Sequence, residues 1–141
     1  MTIPSQNKGE KIWVVFKGEA DLPWLKILKP GFRHCFLIVY DGRYWLSIDP
    51  MLNYLDMRVH YDVPADENLP AFLWRQGYRV VRVRERAEPL RPAPFMVMSC
   101  VEVVKRYLGI HNPFIVTPWQ LYRHLQRQEQ TELKGDLAWE V

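Results

Sequence analysis

Cys100 is the residue of this 141-residue chain best placed for nucleophilic chemistry. The sequence Ser99-Cys100-Val101-Glu102 fits the S-x-x-E capping box, which puts Cys100 in the first turn of a helix. The dipole and the free N–H groups at that end of a helix stabilise an anion and lower the pKa of a thiol. The same amides can bind a developing oxyanion. The alternative is that Cys100 is a small apolar residue that covers the core.

A nucleophilic cysteine needs a base, which is normally a histidine. The chain has four histidines, at positions 34, 60, 111 and 124. His34 interrupts the apolar run 32–40, so we expect it to be held in a structured position and to act as the base. Its alternative role is that of a core or rim histidine bonded to the backbone. His60, in a predicted strand, is the reserve, whereas His111 is expected in a loop and His124 at the surface of a helix.

Two β-rich runs flank Asp41-Gly42, and this arrangement is the strongest local signal for a hairpin. Strands are therefore predicted near 33–40 and 43–49. A turn centred on Gly42 puts His34 opposite Pro50.

Asp49 lies within one residue of that position and can reach His34 if a bulge or twist brings the two side chains to one face. It would then orient the base and complete a set of nucleophile, base and orienting group. Asp49 could equally be a turn residue at the strand end. Ser47 and His60 are the other candidates for the third catalytic residue.

Cys35 follows His34 directly, so we expect its side chain on the opposite face of the strand, outside the site, with a role in packing. No signal peptide is visible, and both cysteines are therefore expected to be free thiols. The chain has no H-E-x-x-H, C-x-x-C, P-loop or G-x-G-x-x-G motif, so no cofactor is predicted. A metal site from Cys100, His34 and Asp49 lacks a short-spaced ligand pair, and no metal is predicted.

The remaining pattern predicts the elements that position these groups. Further strands are expected over 12–16, 57–61 and 78–84, and a short helix over 68–76 ends at Gly77. Pro89, Pro92 and Pro94 indicate an extended connector over 88–94.

Two longer helices follow the connector. The first is predicted to end at Gly109 and to bury a stripe formed by Cys100, Val103, Val104, Tyr107 and Leu108. The second opens at Thr117-Pro118, with Gln120 completing a capping box and an apolar face formed by Leu121, Tyr122 and Leu125. Residues 128–141 turn polar and are expected to form a peripheral tail. Strands followed by helices predict an α+β fold, with a small antiparallel sheet packed against the Cys-bearing helix.

Length and composition are those of one globular domain over 1–141, with its core over 12–127. Hydrophobic residues make up 48% and charged residues 25%, which suffices for a core without metal or disulfides. No apolar run approaches the roughly 20 residues of a membrane span, so no span is expected and the predicted location is cytoplasmic. A net charge of +3 does not by itself indicate a nucleic-acid partner. The arginines at 79, 82, 84 and 86 alternate with valines, as is typical of the solvated face of a strand.

The chain order of His34 on a strand, Asp49 on the next strand and Cys100 at a helix start resembles the circularly permuted papain-like proteins. These are the NlpC/P60-related proteins that include the lecithin:retinol acyltransferase group. The segment 99–105 is similar to that family's polar-Cys-apolar helix opening. The resemblance covers about residues 12–127, and the stretch 53–94 matches no motif of the family. It implies a thiolate that attacks an amide or ester carbonyl to form an acyl-enzyme, with Cys100 as nucleophile, His34 as base and Asp49 as third residue.

The sequence therefore predicts a cysteine hydrolase or acyltransferase, more specifically a thiol peptidase or amidase, whose peptide, amide or ester substrate is open. The alternative is a non-catalytic binding or assembly protein on the same scaffold. Its partner or glycan surface would use the abundant tryptophans, which are Trp13, Trp24, Trp45, Trp74, Trp119 and Trp139. A nucleic-acid module built on the arginine-rich strand ranks last.

Overall fold

A computed structural model of the chain describes residues 10–18, 31–51, 54–84 and 99–139, with side chains up to residue 132. Its elements, in chain order, are β1 (Lys11–Lys17), β2 (His34–Tyr40), β3 (Trp45–Pro50), β4 (Leu55–His60), α1 (Leu69–Arg75), β5 (Arg79–Val83), α2 (Cys100–Leu108) and α3 (Pro118–Trp139). The strands form one antiparallel sheet in the order β4-β3-β2-β1-β5. The predicted α+β class is confirmed, and the five predicted strands and the short helix are present to within a few residues.

The middle strand β2 is apolar along its length because both faces of the sheet are covered there. Cys35, Leu37 and Val39 pack under α2 and α3 in the larger core cluster. Ile38, between them, belongs to a smaller cluster on the other face, against which α1 packs with Leu69 and Leu73. The central position of β2 therefore explains why polar interruptions occur only at the start of its run.

The register of the β2–β3 hairpin differs by one residue from the register that the sequence predicted. Tyr40 pairs with Trp45 and Leu37 with Ile48, so His34 does not lie opposite Pro50. The reason is a longer turn over 41–44. The Asp41 N–H donates to the Tyr44 carbonyl, while the Asp41 carboxylate accepts the N–H groups of Arg43 and Tyr44.

This register changes the face on which Asp49 lies. If the pairing continues by one step, Asp49 lies opposite Phe36, and residues opposite each other share a face of the sheet. His34 is two residues before Phe36 and has the same orientation. The predicted bulge is therefore not needed to bring Asp49 and His34 together.

Helix α2 begins and ends as predicted, and the stripe that it buries matches the prediction at all but one residue. Ser99 Oγ accepts the Glu102 N–H at 3.2 Å, and Gly109 ends the helix in the left-handed conformation at φ 75°. Val101, rather than Val103, joins Val104 and Leu108 in the core. Cys100 and Tyr107 also pack against this core, so Val103 is the one residue of the predicted stripe that the core cluster does not include.

Two charged side chains of α2 are buried as a pair. Lys105 and Glu102 are 2% and 6% exposed, and the Lys105 ammonium donates to the Glu102 carboxylate at 2.8 Å and to the Ile115 carbonyl at 2.9 Å. Buried charges persist when they are paired and hydrogen-bonded. This pair ties the N-terminal half of α2 to the segment that precedes α3, and so holds the end that carries Cys100.

Helix α3 starts at the predicted cap and extends further than predicted. Thr117 Oγ1 accepts the Gln120 N–H, and Leu121 and Leu125 are buried. The segment from 128, predicted as a tail, continues the helix to Trp139, with mostly exposed side chains over 128–132. The predicted connector over 88–94 lies outside the described residues, as do Trp24 and Arg86. Within the described ranges no helix combines the length and the apolar character that crossing a membrane requires.

We expect Lys105→Met to lower the free energy of unfolding by about 3 to 5 kcal/mol, because it leaves the Glu102 carboxylate buried without its main partner. Urea denaturation measures the change. Arg58→Met is the matched control, since it removes an exposed ion pair with Asp56 that should contribute at most about 1 kcal/mol. Equal losses for the two variants would contradict the structural role of the buried pair.

Candidate active site

Cys100 is the first residue of α2, directly after its N-cap Ser99. Its side chain is partly buried against the larger core cluster, and its backbone N–H belongs to the first turn of the helix. The thiol therefore stands at the positive end of a helix dipole and keeps some access to solvent. These are the conditions that the capping-box pattern predicted for it.

His34 and Asp49 meet at the end of the sheet that faces Cys100. His34 is the first residue of β2 and Asp49 is the second-to-last of β3, so the antiparallel pairing brings them to the same end. His34 Nε2 and Asp49 Oδ1 are 2.5 Å apart, and the two side chains are 15% and 21% exposed. The predicted contact between His34 and Asp49 is thus present. Because Nε2 is bound to Asp49, Nδ1 is the ring nitrogen left to face Cys100.

Hydrogen bonds to three groups lower the pKa of the Cys100 thiol. They are the His34 imidazole, the Cys35 thiol and the Cys35 backbone N–H. The sequence placed Cys35 outside the site, on the opposite face of the strand from His34. That exclusion is wrong, although the predicted burial of Cys35 is confirmed, since its side chain is 0% exposed.

The end of the β2–β3 ladder explains how one sulfur reaches residues on both faces of a strand. The Asp41 N–H points to β3, and the direction of backbone hydrogen bonds alternates along a strand. Cys35, an even number of residues earlier, therefore also directs its N–H toward β3. The paired residues of β2 begin only at Leu37, so this N–H lies outside the ladder. We infer that the Cys100 sulfur lies beside β2 where β3 no longer pairs with it. From there it can reach the side chain of His34 on one face of the strand and that of Cys35 on the other.

The contacts separate the pKa values of the two reactive groups. The hydrogen bond from the Cys35 thiol, together with the hydrogen bond and charge of His34, outweighs burial and lowers the pKa of Cys100 from 9.0 to about 5. Burial disfavours a charged His34, but its bonds to Asp49 and Cys100 prevail and raise the pKa of His34 from 6.5 to about 9. Between these values the site holds a thiolate and an imidazolium.

The second cysteine stays protonated over the same range. Burial in the core, followed by the contact with Cys100, raises the pKa of the Cys35 thiol well above 9.0. Cys35 therefore acts toward Cys100 as a hydrogen-bond donor. No sequence pattern predicts the contact between Cys35 and Cys100, because it depends on where the β2–β3 ladder stops and where α2 begins.

The other candidate residues lie apart from this chain of contacts. Ser47 and His60, the alternatives for the third residue, bind each other at 2.8 Å across β3 and β4. His111 is in the loop after α2, as predicted, and His124 is half-buried on α3. Burial, then the charge of Arg127, lowers the pKa of His124.

A shallow depression of about 270 Å³ lies against α3, and its lining includes His124 but none of Cys100, His34 and Asp49. Among the described residues no group of three or more His, Cys, Asp or Glu side chains could hold a metal ion.

Comparisons with models of protein families, with curated proteins and with solved structures find no match for this chain.

We expect Asp49→Asn to lower the pKa of His34 by about 1 to 3 pH units from its value near 9. The carboxylate stabilises the imidazolium, and its removal leaves burial to favour the neutral ring. The imidazole resonance followed by NMR against pH measures the change. Asp56→Asn is the control, because Asp56 pairs with Asp49 across the β3–β4 ladder but binds Arg58. An unchanged His34 midpoint in Asp49→Asn would contradict the assigned contact.

Proposed function

We propose that the protein is a cysteine hydrolase or acyltransferase that acts on an amide or ester bond. The observation that carries the proposal is the hydrogen-bonded chain from Asp49 through His34 to Cys100 at the capped start of α2. A nucleophile, a base and a group that orients the base are the components of covalent acyl transfer. The resemblance to the permuted papain-like proteins supports the same chemistry and favours a peptidase or amidase.

The first half of the reaction uses the ion pair directly. The Cys100 thiolate attacks the carbonyl carbon, a C–S bond forms, and the carbonyl oxygen becomes an oxyanion. The Cys100 N–H, in the first turn of α2, is a donor for that oxyanion. Collapse of the intermediate breaks the bond to the amine or alcohol, to which His34 gives its proton. The products are a thioester on Cys100, a neutral His34 and a free leaving group.

The second half restores the ion pair. Neutral His34 takes a proton from water, or from an acceptor hydroxyl or amine, as that nucleophile attacks the thioester carbon. The C–S bond then breaks, so that Cys100 leaves as a thiolate and His34 remains protonated. Asp49 holds the imidazole ring in place through both halves and stabilises its charged form. The choice between water and another acceptor decides between hydrolysis and acyl transfer.

The pH range of the reaction follows from the two pKa values. Below about 5 the Cys100 sulfur gains a proton and loses its nucleophilic form. Above about 9 the His34 ring loses the proton that it must give to the leaving group. We therefore expect a bell-shaped dependence of the acylation rate on pH between these limits.

A second candidate function is the binding of a protein partner, which exposed side chains on the edge strand β4 favour. Leu55, Met57 and Val59 alternate along one face of β4 and are 46%, 60% and 37% exposed. An edge strand with exposed apolar residues is a template for pairing with another extended chain. This function requires neither the Cys100 thiolate nor His34.

The acyl-enzyme is the direct test of the enzymatic proposal. We expect p-nitrophenyl acetate at neutral pH to add an acetyl group to Cys100, seen by intact and peptide mass spectrometry. Cys100→Ser should abolish this product, and His34→Gln should slow acylation by about 10² to 10⁴-fold through loss of the acid–base group. His60→Gln is the matched control and should leave the rate unchanged. Acetylation that is unaffected by His34→Gln would contradict the mechanism.

The second candidate function, binding through β4, makes a separate prediction. Its simplest form is the pairing of β4 with a second copy of the chain. We expect the mass measured by light scattering to rise with protein concentration, and Met57→Lys to prevent the rise by placing a charge in the pairing face. Cys100→Ser should have no effect on the mass. A monomeric mass at every concentration would contradict pairing through β4.

A further inference from the structure

Cys35 is the one reactive group beside Cys100 that the proposed mechanism does not use. Its side chain is fully buried in the core cluster against which Cys100 packs, and a hydrogen bond from its thiol lowers the pKa of Cys100. The backbone N–H of the same residue also donates to the Cys100 sulfur, from the part of β2 that has no partner in β3. One residue therefore offers two donors to the candidate nucleophile.

The geometry points to Cys35 as a positioning residue for Cys100, whose thiol and backbone N–H hold the Cys100 sulfur in its charged form beside His34. This inference rests on the proposed function and deepens it, because it adds a group that acts through the nucleophile without touching the substrate. A thiolate accepts hydrogen bonds from S–H and N–H groups, and bonds to a charged acceptor are the stronger ones. The proton stays on Cys35 and the charge on Cys100, since only Cys100 has a helix N-terminus and an imidazolium against it.

The position of Cys35 in the sheet makes this role specific. It pairs with Phe16 in β1 and lies under α2, so its side chain cannot turn away from Cys100 without opening the core. The contact with β1 fixes one side of the strand, and the absence of β3 pairing at this residue frees the N–H on the other side. A serine keeps a donor at this place but puts a hydroxyl into the core. Alanine and valine remain apolar but have no donor.

These substitutions separate a donor role from a packing role, because the two roles rank them in opposite orders. A donor role predicts that Cys35→Ser keeps the low pKa of Cys100, whereas Cys35→Ala and Cys35→Val raise it. A packing role predicts that stability falls most in Cys35→Ser, since a buried hydroxyl costs more than a change of apolar volume. The pKa of Cys100 would then follow the melting temperature.

The experiment measures the rate of Cys100 alkylation by iodoacetamide against pH, with the melting temperature of each full-length variant beside it. We expect a midpoint near pH 5 in the natural protein and in Cys35→Ser. In Cys35→Ala and Cys35→Val the midpoint should rise by about 1 to 2 pH units, so that alkylation at about pH 6 becomes up to roughly tenfold slower. The ultraviolet absorbance of the thiolate gives the same midpoints independently.

The outcomes distinguish this inference from the proposed function. A midpoint near 5 in all variants, or one that follows the melting temperature, overturns the role of Cys35 and leaves the Cys100–His34 pair standing. A midpoint near 9 in the natural protein overturns both. If Cys35→Ser does not fold, the comparison of Cys35→Ala and Cys35→Val with the natural protein still decides, because an unchanged midpoint in these two contradicts the donor role.

Discussion

The candidate site depends on one charge, the negative charge of the Cys100 sulfur at the junction of α2 and the sheet. A thiolate that is half removed from water is unfavourable unless donors replace the lost hydration. Here the stabilisation comes from three sources: the dipole at the start of α2, the His34 imidazolium and the donors of Cys35. Together they require that α2 begin at Cys100, directly after its N-cap Ser99, and that Cys35 have no partner in β3. The start of α2 and the end of the β2–β3 ladder thus act together to stabilise the thiolate.

Helix α2 carries a second buried ion pair, and both pairs follow the same rule. Lys105 and Glu102 are buried with their charges matched and with the Ile115 carbonyl as a further acceptor. His34 and Cys100 are matched in the same way, with Asp49 behind the imidazole. The first pair holds α2 against the segment that leads to α3. The second pair stabilises the thiolate form of Cys100 at the start of α2. A buried part of a helix can keep charged side chains only if each charge is paired and hydrogen-bonded.

The two thiols differ in environment although the fold brings them together. Cys35 lies inside the core, where burial favours the neutral form, while Cys100 stands at a helix end beside an imidazolium. The two sulfurs therefore share one negative charge and one proton. Their surroundings place the charge on Cys100 and the proton on Cys35, without any difference in residue type.

The sequence by itself determined what neighbouring residues control. The caps at Ser99 and Thr117, the stop at Gly109, the Asp41-Gly42 turn and the strands follow from hydrogen bonds and side-chain patterns within a few positions. The contact of His34 with Asp49 was also within reach, because a hairpin relates its two strands through one short turn. The exact pairing was not, since a turn over 41–44 shifts it by one residue.

Only the tertiary structure decided that Lys105 is buried with Glu102 and against the Ile115 carbonyl, and that Cys35 lies beside Cys100. Each of these facts joins residues that are distant in the chain, such as Cys35 and Cys100, or Lys105 and Ile115. Alternation along a strand correctly separates the faces of His34 and Cys35, but it says nothing about a group that approaches the strand edge. The place where the ladder ends and the helix begins is set by the packing of whole elements, and no local pattern encodes it.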